Sequence, residues 1–162
     1  QWTYNMLRIG KMTDYATVIL GRIAADGAGL HAAKALADTT GIAVPTVSKL
    51  LKQLQRAGLV HSVRGLHGGY QLARPAAAIT AAEILDAVEG PVVLTECSAG
   101  AGNCEIESHC HVSTTWQRLN TAIRAALGEV SLAQLAGLDQ RAPRLPLREF
   151  HVAVAAIGAR RQ

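Results

Sequence analysis

The sequence predicts a mainly helical protein that carries one small β-hairpin. Apolar residues make up 49% of the 162 residues, while aromatic residues make up only 4%. A core of Ala, Leu, Val and Ile without large rings favours packed helices over a β-sandwich. Two short segments near the middle of the chain, separated by a glycine-rich turn, are typical of a hairpin. The length allows one domain, or one domain with an arm.

Capping residues and apolar spacing place the elements in order. We expect Thr13 to cap the first helix, and Pro45 suits the first turn of the third, where a missing N–H costs nothing. Thr80 and Glu83 form a capping-box pattern that predicts the start of the fourth helix. The predicted helices are 14–25, 32–40, 45–57, 81–89, 113–127 and 131–136, and the predicted strands are 59–64 and 69–73.

Charge is unevenly distributed along the chain. Residues 1–80 hold nine Lys or Arg and three Asp, a net charge of +6. Residues 81–138 have a net charge of −5, and residues 139–162 a net charge of +3. A basic first half beside an acidic second half suggests a polyanion as the partner of the first half alone.

Composition and apolar runs also bear on the compartment. The apolar runs are much shorter than the roughly 18 residues of a membrane span, and the N-terminus lacks the pattern of a signal peptide. We therefore expect a cytoplasmic protein with no membrane partner. Three cysteines, a small and odd number, do not make a disulfide scaffold and indicate thiols used as ligands or reactive groups.

The second and third predicted helices fit a helix-turn-helix. Ala37 is small enough for two helices to cross over it, and Gly41 follows at the sharp turn that needs a positive φ. Ile42, Val47 and Leu50 would supply the shared core. This spacing also occurs in plain helical hairpins, so the helix-turn-helix interpretation depends on the segments that follow it.

The predicted hairpin comes directly after the helix-turn-helix, which is the position of a wing. Its glycine-rich tip would let the backbone approach a phosphate, and Arg64 could reach a narrow minor groove. Ser48 and Lys49 lie where a recognition helix meets base edges, and Lys52 is placed to meet phosphate. The expected DNA-binding residues are Thr46, Ser48, Lys49, Lys52, Arg64 and His67; the alternative for each is a solvated surface.

The three cysteines lie within one polar segment. Cys97, Cys104 and Cys110 have the spacing C-x6-C-x5-C, which is wider than the C-x2-C of common zinc sites. Thiolates suit an iron–sulfur cluster, whose remaining position could be filled by His109 or His111. Zinc held by the cysteines and a histidine, a disulfide switch, and three unrelated thiols are the alternatives.

These motifs together resemble one known family. The sequence is similar, over residues 6–138, to IscR/NsrR-type (Rrf-type) winged-helix regulators of bacteria, including regulators of the SUF system, which hold an iron–sulfur cluster. The resemblance rests on Lys11-Met12-Thr13-Asp14-Tyr15-Ala16, on the helix-turn-helix, on the wing motif Ser62-Val63-Arg64-Gly65…Gly68-Gly69-Tyr70-Gln71-Leu72-Ala73-Arg74, on the three cysteines and on Trp116. It implies a homodimer in which the helix 113–127 crosses its mate. The implied interface residues are Trp116, Leu119, Ile123 and Leu127.

The resemblance also bears on the fourth cluster ligand. The IscR branch places a histidine three residues after its last cysteine, where this chain has Ser113. The pattern Lys11-x-Thr13-Asp14 instead resembles the NsrR branch, in which the matching aspartate comes from the partner subunit and completes a four-iron cluster. Asp14, acting in trans, is thus the implied ligand, and His111 or His109 is the alternative. A [4Fe-4S] cluster is favoured, with [2Fe-2S] as the alternative.

The sequence therefore predicts a winged helix-turn-helix repressor that senses iron–sulfur status and controls genes of iron–sulfur cluster assembly. A nitric-oxide or redox sensor of the same fold is one alternative, and a zinc-stabilised adaptor or cluster-handling protein is another. No Ser–His–Asp set, P-loop or GxGxxG motif is present, so we expect no enzyme and no small-molecule substrate. The predicted parts are a DNA-binding domain at 6–80, a cluster-binding loop and dimerisation helix at 81–138, and a mobile tail at 139–162. The predicted partners are operator DNA and a second copy of the chain.

Overall fold

The computed structural model describes residues 9–27, 29–95 and 112–143. The helices are α1 (Lys11–Ala25), α2 (Ala33–Thr40), α3 (Val44–Arg56), α4 (Ala81–Glu89), α5 (Ser113–Gly128) and α6 (Leu132–Leu135). The strands β1 (Val60–Val63) and β2 (Gly69–Leu72) form an antiparallel hairpin, and a 3-10 turn follows at Ala76–Ala78. This confirms the predicted fold class, a helical protein with one small hairpin. Within the described ranges, no helix combines the length and hydropathy needed to cross a membrane.

The helix-turn-helix consists of α2 and α3, as the spacing predicts. Ala37 is buried between the two helices, and Gly41 ends α2 with a φ of 71°. The Gly41 amide donates to the Ala37 carbonyl at 2.9 Å, which closes the helix end before the turn. Val47 and Leu50 are fully buried beneath the turn. The glycine is required because its φ lies in the region that other residues rarely adopt.

The hairpin acquires a third partner that the sequence did not indicate. Within it, Val60 pairs with Leu72 and Val63 with Gly69. His31, just before α2, then exchanges two backbone hydrogen bonds of 2.9 Å with Tyr70 of β2. A Cβ at Gly69 would lie 2.8 Å from the His31 backbone, so only glycine permits this approach. The hairpin is thus fixed to the body of the protein on its β2 side.

The prediction that Thr13 caps the first helix is wrong. Gly10 is the N-cap, and the helix begins at Lys11. Thr13 is buried in the first turn, and its hydroxyl donates to Glu89 Oε1 of α4 at 2.5 Å. A Cβ at Gly10 would collide with the same carboxylate. The threonine is therefore used for a contact between helices, and the helix starts one turn earlier than its sequence pattern suggests.

Helix α4 connects the other helices. Its predicted capping box is confirmed, since the Thr80 hydroxyl accepts from the Glu83 amide and the Glu83 carboxylate accepts from the Thr80 amide. Helix α4 packs against α1, α3 and α5. Asp86 of α4 accepts two hydrogen bonds from Arg124 of α5, at 2.7 and 2.9 Å. One short helix thus contacts α1, the second helix of the helix-turn-helix and the long helix α5.

The chain turns back onto α1 after α5. Ser131 and Gln134 form a second capping box at the start of α6. A Cβ at Gly21 of α1 would lie 3.3 Å from the Ala136 Cβ, which shows how closely this end of the chain packs on α1. The Asp139 amide donates to the Ala133 carbonyl, and the Arg141 carbonyl accepts from Gln134. Most of the residues predicted to form a mobile tail, 144–162, lie outside the described residues.

Candidate nucleic-acid interface and sensor residues

Helix α3 separates its apolar and polar residues into two faces. Val47, Leu50, Leu51 and Leu54 are fully buried. The opposite face is solvent-accessible and forms a shallow open groove along the helix. The residues that line this groove are Pro45, Ser48, Lys49, Lys52, Gln53 and Arg56.

The groove gathers three of the predicted DNA-binding residues. Ser48, Lys49 and Lys52 line it together, while Thr46 is half-buried and does not line it. Gln53 is a lining residue that the sequence analysis missed, although it lies one helical turn after Lys49 and shares its face. The first turn of α3 is open to solvent, which is the geometry of a helix that enters a major groove with its N-terminal end.

The charge of this surface is positive and locally unbalanced. Residues 39–82 contain five Lys or Arg and no Asp or Glu. Among the described residues, the carboxylates that form ion pairs do so elsewhere, so Lys49, Lys52 and Arg64 have no acidic partner there. Such a surface attracts a polyanion over a distance of about a Debye length, or roughly 8–10 Å at moderate salt.

Arg74 has a different role, because it makes an ion pair and a hydrogen bond within its own chain. Its guanidinium contacts Glu83 Oε1 at 2.7 Å and the Ala78 carbonyl at 3.2 Å. Burial acts to raise the pKa of Glu83, but the hydrogen bonds from Arg74 and Thr80 outweigh it and hold the pKa below its ordinary 4.5. The pair joins the end of the hairpin to the start of α4.

Two glycines fix the tip of the wing. Gly65 has a φ of 125°, and the Gly68 amide donates to the Gly65 carbonyl at 3.0 Å, which closes a four-residue turn. A Cβ at Gly68 would collide with the Val63 carbonyl oxygen. Arg64 and His67 are exposed on this tip, where the sequence analysis expected DNA contacts. Both side chains therefore lie at the outer end of the wing.

The predicted cluster residues fall mostly outside the described part of the chain. Cys97, Cys104, Cys110, His109 and His111 all lie in the segment 96–111. In the ranges that the structure describes, no group of three His, Cys, Asp or Glu could hold a metal ion. Asp14 is described, and it is exposed on the first turn of α1.

Asp14 directly follows a residue that contacts the end of α4. The preceding residue, Thr13, is hydrogen-bonded to Glu89 at the end of α4. From Glu89 the chain runs on to Thr95, the last described residue before Cys97. The first turn of α1 therefore contacts the end of α4, the last described helix before the segment 96–111.

The predicted dimer residues lie on one stripe of α5 and are incompletely buried. Trp116 is 41% exposed, and Leu119, Ile123 and Leu127 are half-buried. Asn120 is the one buried residue of α5, and its Oδ1 accepts from the Leu94 amide at 3.2 Å. An apolar stripe that its own subunit covers incompletely is typical of a helix that contacts a second protein surface.

Sequence comparison identifies the family. Residues 9–137 match the family model Rrf2, described as an iron-dependent transcriptional regulator. The regulator IscR of Vibrio cholerae is 31% identical over 120 residues, which cover 74% of this chain and 69% of the relative. The protein aau3 of Rhizobium meliloti is 36% identical over 122 residues, which cover 75% of each chain.

Solved structures agree with this result. The global cysteine regulator CymR of B. subtilis matches with a TM-score of 0.64 and 30% identity, covering 83% of this chain and all of that one. IscR of T. potens matches with a TM-score of 0.60 and 26% identity, covering 84% of this chain and 93% of that one. The family model and IscR of Vibrio cholerae are described as regulators of transcription. With its helix-turn-helix, its glycine-fixed wing and this match over residues 9–137, the chain belongs to the Rrf2 family of winged-helix transcriptional regulators.

Proposed function

We propose that this chain is a dimeric repressor whose affinity for operator DNA is set by an iron–sulfur cluster. The observation that carries the DNA-binding part is the basic surface of α3 and the wing, within residues 39–82 that contain no acidic side chain. The cluster is supported by the three cysteines in one segment and by the family's iron-dependent description.

Helix α3 would read base edges in the major groove. Lys49 can donate to the two acceptors of guanine, and Ser48 can donate to or accept from either kind of base pair. Lys52, one turn further along the same face, would contact phosphate and position the helix. Thr46 and His67 complete the contact set at the margin of α3 and on the wing, and Arg64 would enter the minor groove.

The three cysteines and Asp14 are suitable ligands for an iron–sulfur cluster. Cys97, Cys104 and Cys110 would supply three thiolates, the ligands that iron–sulfur clusters prefer. Among the described residues, no side chain engages the Asp14 carboxylate through a hydrogen bond or an ion pair, so it is available as a fourth ligand to the partner subunit's cluster. His109 and His111 are the alternative donors. A bound [4Fe-4S] or [2Fe-2S] cluster supplies a set of labile bonds that report iron–sulfur status.

Helix α4 would couple the sensor segment to the reading surface. Glu89, at the end of α4 that leads to the cysteines, holds Thr13 of α1. Asp86 of the same helix holds Arg124 of α5, the proposed dimer helix. A change in the position of α4 would therefore alter both the packing of α1 and the way in which the two α5 helices cross. A two-state switch requires such a joint change.

The regulated genes would be those of iron–sulfur cluster assembly. This choice is supported by the resemblance to SUF-system regulators and by the IscR relatives. A nitric-oxide or redox signal is a second candidate, favoured by the aspartate at position 14 within the Lys11-x-Thr13-Asp14 pattern.

Anaerobic purification tests the cluster. We expect a brown protein with iron and acid-labile sulfide, and a difference in DNA affinity between the forms with and without cluster. Operator DNA can be obtained by selecting duplexes from a randomised pool with each form. A colourless protein with bound zinc would contradict the proposal and favour the zinc-stabilised adaptor.

Ligand variants separate the donors. Cys97→Ala, Cys104→Ala and Cys110→Ala should each abolish the cluster absorption, because a missing sulfur has no replacement nearby. Asp14→Ala should leave a cluster that forms but is lost faster, since a carboxylate is a harder and weaker iron ligand than a thiolate. His109→Ala and His111→Ala should match the wild type. If a histidine variant is the labile one and Asp14→Ala is silent, the fourth ligand is that histidine.

A further inference from the structure

The most exposed large apolar side chain among the described residues lies at the tip of the wing. Leu66 is 95% exposed, whereas the next such residues, Ile9 and Val112, are 57% exposed. Leu66 therefore contributes almost nothing to the core of its own subunit. A lone exposed leucine needs no explanation on an ordinary surface, but this one lies at the tip of the hairpin formed by β1 and β2.

Leu66 lies at the centre of the tight turn at the tip of the wing. Leu66 and His67 are the two central residues of the turn that the Gly68-to-Gly65 hydrogen bond closes. The φ of Gly65 lies in the region that favours glycine, and a Cβ at Gly68 would collide with the Val63 carbonyl oxygen, so this turn requires glycine at both positions. The turn therefore places Leu66 at the end of the hairpin, where its side chain is exposed.

The surroundings of Leu66 indicate what it contacts. Arg64 lies two residues before it and is exposed, and no acidic residue occurs between positions 39 and 82. A protein partner would meet an apolar point within a cationic surface, while the DNA minor groove offers both phosphates for the cation and stacked base pairs for the leucine. Proteins that bind this groove often insert such apolar side chains between base pairs.

We infer that Leu66 is an apolar wedge that the wing inserts at a base-pair step in the minor groove of the operator. This inference rests on the proposed function, because it requires the wing to contact DNA. Insertion partly unstacks one step, and the cost of unstacking depends on the sequence of that step. Pyrimidine–purine steps such as TA and CA are the easiest to open. Leu66 thus makes the protein selective for a flexible step through the cost of unstacking it, without a hydrogen bond from Leu66 to a base.

The experiment uses the full chain and a duplex that the wild type selects from a randomised pool. Each adenine of that duplex is replaced in turn by 2-aminopurine, whose fluorescence rises when the base unstacks. The variants are Leu66→Ser, which removes the apolar group, and Leu66→Met, which keeps an apolar side chain of similar size. Neither should alter thermal unfolding, because the side chain is 95% exposed.

We expect the wild type and Leu66→Met to raise the fluorescence at one step, and Leu66→Ser to abolish this rise. Leu66→Ser should bind about tenfold more weakly, the loss expected for one buried leucine side chain. Its salt dependence should match the wild type, since no charge is removed. Replacing the step by a stiff AA step should weaken the wild type several-fold and leave Leu66→Ser unaffected.

Three results would overturn the inference, and they are distinguishable. If the wild type selects a duplex but Leu66→Ser gives the same fluorescence rise, the wedge is absent whatever the affinities. If Leu66→Ser instead alters association between protein molecules while DNA binding is unchanged, the leucine serves a protein contact. Failure of the wild type to select any duplex would overturn the proposed function itself, and the inference with it.

Discussion

Helices α3 and α5 are both amphipathic, yet a single subunit buries the apolar stripe of only one of them. In α3, the stripe of Val47, Leu50, Leu51 and Leu54 is fully buried. In α5, Trp116 is 41% exposed, and Leu119, Ile123 and Leu127 are half-buried. The helical period is the same in both helices. Periodicity therefore predicts that each has a buried face, but it does not show whether that face is buried by its own chain or by a second one.

The polar faces of the two helices differ in the opposite sense. Polar residues of α5 attach it to its own chain, since Arg124 pairs with Asp86 and Asn120 accepts from the Leu94 amide. Lys49 and Lys52 of α3 have no acidic partner in the described part of the chain. Helix α3 thus packs through apolar side chains and leaves cations outside, while α5 is held by polar contacts and leaves apolar groups outside. This contrast fits a DNA-reading helix and a dimer helix.

The largest expected effect concerns the buried apolar face of α3. Leu50 is fully buried, so Leu50→Ala should lower the free energy of unfolding by about 2–5 kcal/mol, because it removes apolar contact and leaves a cavity. The neighbouring Lys49→Ala is the control, and a surface change of this kind should shift stability by less than about 0.5 kcal/mol. Urea unfolding monitored by circular dichroism measures both. Equal stabilities would show that α3 is not part of the core.

A charge placed on the α5 stripe should act on association. Ile123→Asp should raise the dimer dissociation constant by about 100-fold, because two carboxylates would lose water in a symmetric interface. Thr121→Asp places the same charge on the exposed side of α5 and serves as the control. Sedimentation equilibrium distinguishes them. If Ile123→Asp leaves the dimer intact and lowers the stability of the subunit instead, the stripe belongs to the monomer core.

Much of the fold follows from local sequence signals. The Ala37–Gly41–Val47 spacing and the Thr80–Glu83 capping box each depend on residues within one turn or one helix junction, and the structure confirms both. These signals are local because a positive φ or a helix cap is satisfied by a few neighbouring residues.

Contacts between distant segments were not predictable in the same way. Thr13 has the sequence of a helix cap, but its hydroxyl binds Glu89, 76 positions away. The pairing of His31 with Tyr70 likewise depends on how the hairpin folds back, which no local pattern encodes. In the candidate site, Lys49 and Lys52 were expected as DNA contacts from their positions on the recognition helix, and the structure shows both exposed. The apolar wing tip at Leu66 was missed because a single apolar residue in a turn carries no periodic signal.

Two arginines of the wing are expected to differ in role, because one would contact DNA and the other forms an ion pair within its own chain. Arg64 is exposed on the tip, while Arg74 is paired with Glu83. Arg64→Ala should weaken operator binding by about 1–3 kcal/mol and reduce the salt dependence by about one charge. Arg74→Ala should leave the affinity nearly unchanged. Fluorescence anisotropy across a salt series measures both, and an unchanged affinity for Arg64→Ala would remove the wing from the DNA interface.

The smallest expected effect concerns α4, against which both α3 and α5 pack. Glu83 caps α4 and pairs with Arg74, and at the start of α6 Gln134 performs the same capping role for Ser131 without a charge. Glu83→Gln should therefore keep the cap and lose only the ion pair. The Glu83 side chain is 38% exposed, so solvent screening limits the loss near neutral pH to about 1 kcal/mol or less.

The pH dependence of that loss identifies its origin. The pKa of Glu83 is held below its ordinary 4.5 in the folded protein, so the folded state binds fewer protons than the unfolded state. The stabilisation is therefore fully present above 4.5 and is lost as the pH falls through the lowered pKa. Urea unfolding of the wild type and Glu83→Gln should differ by a constant amount from neutral pH down to about 5 and converge below 4.5. A difference that persists in acid would come from the cap, and would show that glutamine does not replace the carboxylate at the start of α4.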